Sequence, residues 1–194
     1  MCLVSLSIFL GLGLVVYAAG ILPGDVFLRE LLLLKDTGFA EIMRWVNYGG
    51  RAQVLVPAAI LLFCLSPVAR RRWWLWCVAL VSGPLLQNIV KLVVGRARPD
   101  GSSLGFPSGD ATAATAFAVL VIYIARREGF DRGARWAFSA LAVCLMLAVG
   151  WARIVRHAHW PSDVLGGFLL GAGCTAAAAW WASARSEIGT PRTS

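Results

Sequence analysis

WWLWCVALVSGPLLQNIVKLVVG, residues 73–95, followed at once by RARP, residues 96–99, is the stretch that decides the fold. It supplies the roughly 20 apolar residues that a helix needs to cross a bilayer core. Its one charge, Lys91, stands near the outer end, where it is costly without a functional partner. Five further apolar runs read the same way: residues 3–22, ended by Pro23-Gly24; residues 54–69, short and carrying Pro57 and Pro67; and residues 108–125, 136–154 and 162–184. The fold expected is all-α, a polytopic membrane protein with six transmembrane helices.

Composition agrees. Of 194 residues, 59% are hydrophobic and only 14% charged, where a soluble domain carries about 25% charged residues. Mean hydropathy is +0.72. The length suits one domain over residues 1–194, with residues 185–194 expected as a flexible polar tail. The N-terminus lacks the basic region of a signal peptide and reads as the first transmembrane helix. Cys2, Cys64, Cys77, Cys144 and Cys174 form no CxxC pair and read as small hydrophobes. The two histidines, His157 and His159, and ten scattered acids suggest no metal cluster.

Residues 25–53 differ. Leu28, Leu31, Leu32, Phe39, Ile42, Met43 and Val46 recur at helical spacing among Arg29, Glu30, Lys35, Asp36, Glu41 and Arg44. That pattern predicts short amphipathic helices lying in the interface, broken near Thr37-Gly38. They either flank the substrate entrance or serve as a plain connector.

The net charge of +8 lies in short stretches between apolar runs. Topology and phosphate binding explain it better than nucleic acid, for which no basic segment is long enough. Arg70, Arg71 and Arg72, then Arg126, Arg127, Arg132 and Arg135, then Arg185 and Arg192, fall on one side of a six-span chain, the expected cytoplasmic side. Trp73, Trp74, Trp76, Trp180 and Trp181 suit an aromatic belt there. The loops holding residues 96–107 and 153–161 then face outward, to the periplasm of a bacterial inner membrane.

Three segments at that outward face carry chemistry. Lys91 and Arg98 stand seven residues apart, and Arg153 ends the fifth run; arginine grips phosphate through two parallel hydrogen bonds and lysine adds a point charge. Arg96 and Arg156 are left aside as residues that meet lipid headgroups. Phe106-Pro107-Ser108-Gly109-Asp110 marks a helix start with proline in its first position, whose free N–H groups and dipole attract an anion and whose Gly109 admits a close oxygen. The bland reading of this motif alone is an ordinary proline-started helix. His159 sits before the helix that Pro161 opens, with Asp163 in its first turn. That carboxylate can hold one imidazole nitrogen and leave the other free to attack phosphorus. His157 competes, with nothing placed to orient it.

Taken together, Lys-x6-Arg-Pro, Pro-Ser-Gly-x and Arg-x5-His-x3-Asp resemble the signature of the type 2 phosphatidic acid phosphatase (PAP2) superfamily. The resemblance implies a membrane lipid phosphatase without metal or other cofactor. It assigns phosphate binding to Lys91, Arg98, Ser108 and Arg153, with Gly109 beside them. It makes His159 the nucleophile of a phosphohistidine intermediate and Asp163 its orienting group. Two positions depart from it. Ala152 replaces a serine, and Asp110 stands where the family has the histidine that protonates the leaving group. Three readings of Asp110 stay open: a substitute acid, a substrate whose leaving group needs little protonation, or an impaired site. The expected partners are a lipid phosphate and membrane lipids. The leading substrate is undecaprenyl diphosphate, followed by phosphatidylglycerophosphate, phosphatidic acid and lipid A phosphate. The alternatives are a lipid phosphotransferase and a non-catalytic lipid-phosphate binder or transporter.

Overall fold

The computed structural model describes residues 2–33 and 37–187, of which Thr37, Ala40, Ser186 and Glu187 are described by backbone alone. Five described helices are long and apolar enough to cross a membrane: α1 (Cys2–Ala19), α6 (Trp73–Val94), α7 (Gly109–Arg127), α8 (Arg132–Val155) and α9 (Pro161–Glu187). Between α1 and α6 lie α2 (Pro23–Leu32), α3 (Thr37–Tyr48), α4 (Ala52–Leu65) and α5 (Pro67–Arg71). The all-helical membrane fold expected from sequence is therefore present.

The second expected span is the weakest of the six. At 14 residues, α4 reaches about 21 Å, short of the roughly 30 Å of hydrocarbon. It ends at Ser66 because Pro67 lacks the N–H that would continue the helix. A spanning length appears only when α3 and α4 are taken as one path bent by 49° at residues 49–51. At the other end of the chain α9 runs to Glu187, so residues 185–187 are helical where a flexible tail was expected; residues 188–194 lie outside the described residues.

The interior is built from small side chains. Without a hydrophobic drive between helices in lipid, association depends on close van der Waals packing, which small residues permit. On α7 this face is Ala111, Ala114, Ala116 and Ala118, all buried. On α9 it is Gly167 and Gly171, one turn apart: a Cβ at Gly167 would lie 2.6 Å from the Ser108 carbonyl, and one at Gly171 would strike the Thr112 carbonyl. Larger residues form buried clusters, among them Leu75, Trp76, Leu120 and Ile124 at one end and Phe9, Val16, Phe106 and Leu170 toward the other. Leu10, Leu14, Leu85, Leu92, Leu145 and many like them point outward, as a bilayer-facing surface requires. Trp73, Trp74 and Trp180 are exposed and fit the belt, but Trp76 is core, because its face of α6 meets α7 and packs on Tyr123.

Candidate active site

The C-terminal ends of α6 and α8 and the N-terminal ends of α7 and α9 meet at one end of the bundle, and all three sequence segments meet with them. Gly95, in the left-handed conformation at φ 59°, stops α6 and turns the chain into the 96–108 loop. That loop is internally tied: Arg98 N donates to the Ser102 carbonyl at 2.7 Å and Gly105 N to the Arg96 carbonyl at 2.8 Å. Asp100 accepts from the Ser102 amide and hydroxyl, which holds its carboxyl below the usual range. Loop and α9 are joined by Ser108 N, which donates to the Asp163 carbonyl at 2.9 Å.

The proline of the second motif stands two places before the first helical residue rather than at it. Ser108 is the residue before the first helical one, and α7 begins at Gly109. The Ser108 hydroxyl makes no capping bond. It is fully buried with its Oγ unpartnered, a costly state for a hydroxyl unless a ligand satisfies it. Arg98 and Arg153 likewise keep Nε unpartnered, so each retains donors for an anion. Lys91 lies within electrostatic reach of Arg98, Arg153, Asp110 and Asp163.

His159 is 1% exposed. The end of α8 is wrapped so that the amides of Ala158 and His159 both donate to the Arg153 carbonyl, at 3.1 and 3.2 Å. Arg153 and His159 are thereby fixed to one another although six residues separate them. Nδ1 of His159 lies 3.4 Å from Oδ2 of Asp163, ion-pair range rather than a tight hydrogen bond. The same oxygen accepts from Trp160 N at 2.9 Å. Burial pushes the imidazole pKa down, with Asp163 pulling the other way, so the ring is set toward its neutral, nucleophilic form.

Asp110 does not stand free. Its Oδ2 lies 2.8 Å from Nη1 of Arg153, and the same nitrogen donates to Asn47 Oδ1 at 2.7 Å. The carboxyl is thus engaged by a guanidinium rather than turned free toward a leaving group. Gly50 closes the corner: a Cβ there would lie 2.8 Å from Asp110 Cβ and 2.7 Å from Val149 Cγ1.

Sequence reasoning missed several neighbours. Arg96, expected to meet headgroups, has a side chain 1% exposed. Its guanidinium pairs with Asp163 Oδ1 at 2.5 Å and with Asp25 of α2, and it donates to Ser162 Oγ at 2.7 Å. Asp25 also accepts from the Ser162 amide and hydroxyl, both at 2.8 Å. A buried arginine between two carboxylates is stable where a lone one is not. Asn47 is buried as well, and Gln87 presses its amide so near Gly109 that a Cβ would meet Oε1 at 2.6 Å. Gln87 lies one turn before Lys91 on α6, the only signal that could have found it. His157 is exposed and, contrary to expectation, has a partner: Arg29 of α2 contacts its Nδ1, and the same guanidinium lies 5.5 Å over the Trp160 ring. Of the two histidines only His159 is buried.

Comparison with known proteins follows the same outline. The family model of the PAP2 superfamily matches residues 72–187. Phosphatidylglycerophosphatase B of Bacillus subtilis is 27% identical over 152 residues, 74% of this chain and 75% of that one. Lipid A 1-phosphatase of Rhizobium johnstonii is 35% identical over 115 residues, 51% of this chain and 43% of that one. Among solved structures, the transmembrane PAP2 type phosphatidylglycerolphosphate phosphatase from Bacillus subtilis superposes with a TM-score of 0.82 at 21% identity, covering 100% of this chain and 98% of its own. Aquifex aeolicus LpxE gives 0.69 at 20% identity over 82% and 97%.

Proposed function

This chain belongs to the PAP2 superfamily, and from that premise we propose that it is a membrane lipid phosphatase whose nucleophile is His159. The observation that carries the reading is the convergence, at one end of the bundle, of three cations, a buried serine hydroxyl without a partner and a buried histidine backed by Asp163. Lys91, Arg98 and Arg153 neutralise the substrate phosphate, while Ser108 Oγ and the first amides of α7 donate to its oxygens. His159 attacks phosphorus through the nitrogen turned away from Asp163. An N–P bond forms as the bond to the leaving oxygen breaks. Water then attacks the phosphohistidine, the N–P bond breaks, and phosphate and neutral His159 are restored.

The pairing of Asp110 with Arg153 favours a leaving group that departs without a donated proton. A lipid diphosphate provides one, since phosphate leaves more easily than an alkoxide. Undecaprenyl diphosphate is therefore placed first among substrates, ahead of phosphatidylglycerophosphate, phosphatidic acid and lipid A phosphate. The relatives' names keep the second and fourth of these in the comparison. An apolar groove of about 450 Å³ beside Asp110, lined by Trp45, Gly49, Phe117, Leu145 and Val149 among others, suits the lipid chain. The reaction is placed at the outer face of a bacterial inner membrane, following the arginine distribution.

The test is phosphate release by purified protein in detergent with chelator present. Undecaprenyl diphosphate, phosphatidylglycerophosphate and phosphatidic acid are offered side by side to wild type and His159→Ala. Release that vanishes in the variant supports the nucleophile. Faster turnover of a monoester than of the diphosphate refutes the substrate order. Passage of labelled phosphate to a second lipid identifies a transferase instead.

A further inference from the structure

At the end of the bundle opposite His159, α5, the first turn of α6, the last turns of α7 and the C-terminal part of α9 border an open cavity of about 230 Å³. Trp76 in its wall and Lys91 at the active site are 15 residues apart on α6, which is about 22 Å along the axis. The two sites are separate.

The walls of this cavity carry Arg71, Arg72 and Arg127. Among the described residues, no carboxylate forms an ion pair with any of the three. The partners of Arg72 and Arg127 are neutral. Arg72 donates to the Ala182 carbonyl, Arg127 donates to Ser183 Oγ at 2.7 Å, and the Arg127 guanidinium lies 5.6 Å over the Tyr123 ring. Glu128, the acid next in sequence, is engaged with the Ser66 hydroxyl and the Val68 amide. Arg72 and Arg127 are held in place, Arg71 is exposed beside them, and no carboxylate pairs with their charge.

A second, independent observation points to a ligand. Trp76 is 1% exposed and its indole Nε1 is buried with no hydrogen-bond partner. A buried tryptophan ordinarily finds an acceptor for that N–H. Three guanidinium groups around a cavity, with a tryptophan whose indole donor is unpartnered in its wall, call for a compact group that only accepts hydrogen bonds and carries negative charge. Phosphate fits that description, and arginine's planar fork matches its oxygens. The volume is below the roughly 300–1,000 Å³ of sites that enclose a whole small molecule, so it suits a single phosphate group. The cavity also lies at the level of helix ends, where lipid headgroups sit, and basic pockets between spans there recognise anionic headgroups.

We infer that this cavity is a second anion site, which binds a phosphate group of a membrane lipid or free phosphate and braces α6, α7 and α9 at the end remote from the reaction. An arginine excess there for topology alone would require neither the cavity nor the unpartnered indole donor.

The experiment is native mass spectrometry of the full chain in detergent, titrated separately with phosphatidylglycerol, phosphatidylcholine and inorganic phosphate. Lys91→Ala/Arg98→Ala removes binding at the reaction end. On that background one equivalent of phosphatidylglycerol should remain bound. Arg72→Gln/Arg127→Gln should weaken it about tenfold or more, with phosphatidylcholine weak throughout. Trp76→Phe, which deletes only the N–H, should weaken it a few-fold. Phosphate release by Arg72→Gln/Arg127→Gln in the otherwise native chain reports that its fold is intact, and Trp76→Phe carries the test if it is not. Competition by inorganic phosphate identifies the free anion as a ligand, and binding of phosphatidylglycerol alone identifies the headgroup. Binding of equal strength in wild type and both variants, or no saturable binding of either anion, overturns the inference.

Discussion

His159 is the proposed nucleophile, and its surroundings make two predictions. Its Ala variant should lose at least about a thousandfold in phosphate release, as removal of a nucleophile does elsewhere, with the fold checked by its unfolding temperature. Burial lowers its pKa against the opposing pull of Asp163. The neutral nucleophile therefore persists below the ordinary histidine value of about 6.5. The acid limb of kcat/KM against pH should break below that value. The same shift has a stability sign. The unfolded chain takes up the proton first as pH falls, so His159's contribution is intact above about 6.5 and is lost as pH drops from there through the folded value. Asp110 gives a third prediction. Asp110→Asn removes the carboxylate that competes with substrate for Arg153. KM for a diphosphate should fall several-fold with kcat little changed if Asp110 donates no proton. A kcat collapse on the diphosphate would instead make Asp110 the acid.

At the scale of elements, α2 is more than a connector. Its outer side exposes Val26, Phe27, Leu28 and Leu31, while Asp25 reaches Arg96 and Ser162, and Arg29 reaches His157 and Trp160. One amphipathic helix therefore holds the loop that carries the proposed nucleophile. Arg96 is its pivot. Arg96→Met would leave two buried carboxylates facing each other without a cation, a loss on the order of 3–5 kcal/mol. It should appear as a large fall in unfolding temperature, with Arg96→Lys recovering part of it. On the opposite side of the site, α7 and α9 touch through Gly167 and Gly171. Gly171→Val, driven against the Thr112 carbonyl, should cost about 1–3 kcal/mol by overpacking.

For the whole molecule, the path of the chain through the membrane is the quantity to measure. With six crossings the 96–108 loop and the 128–131 turn lie on opposite sides. In a variant whose five cysteines are replaced, Ser103→Cys should react with an impermeant thiol reagent added outside intact cells. Phe130→Cys should react only after permeabilisation. The reverse pattern would turn the site inward and refute the outer-face assignment. Equal access would mean that α7 does not cross the bilayer. Whether the bent path of α3 and α4 completes a crossing is read from Gly20→Cys, which should label on the same side as Ser103→Cys if it does and on the opposite side if it does not.

Much of this was legible in the chain itself, for local reasons. Bilayer thickness imposes a run of apolar residues on each spanning helix, so five spans could be read directly from residues such as those of 73–95. Gly95, Pro161 and the Pro107-Ser108 pair stop or start helices through their own backbones. The motif spacing put Lys91, Arg98, Ser108, Arg153, His159 and Asp163 at helix ends on one side. Only the tertiary structure decided which side chains face one another across those ends. Asp25 is far from Arg96 in sequence, Asn47 is far from Arg153, and nothing in their neighbours' periodicity marks either as buried. Burial of a charge depends on a partner arriving from another element, here α2 and α3, whose amphipathic patterns read as interface. The same holds for Trp76, for Asp110 on Arg153 and for the arginine cavity at the far end. Local sequence determined where each helix runs, because backbone hydrogen bonding and solvation act within a few residues. Packing determined which polar groups meet, because in lipid that depends on shape and partner rather than on apolar pattern.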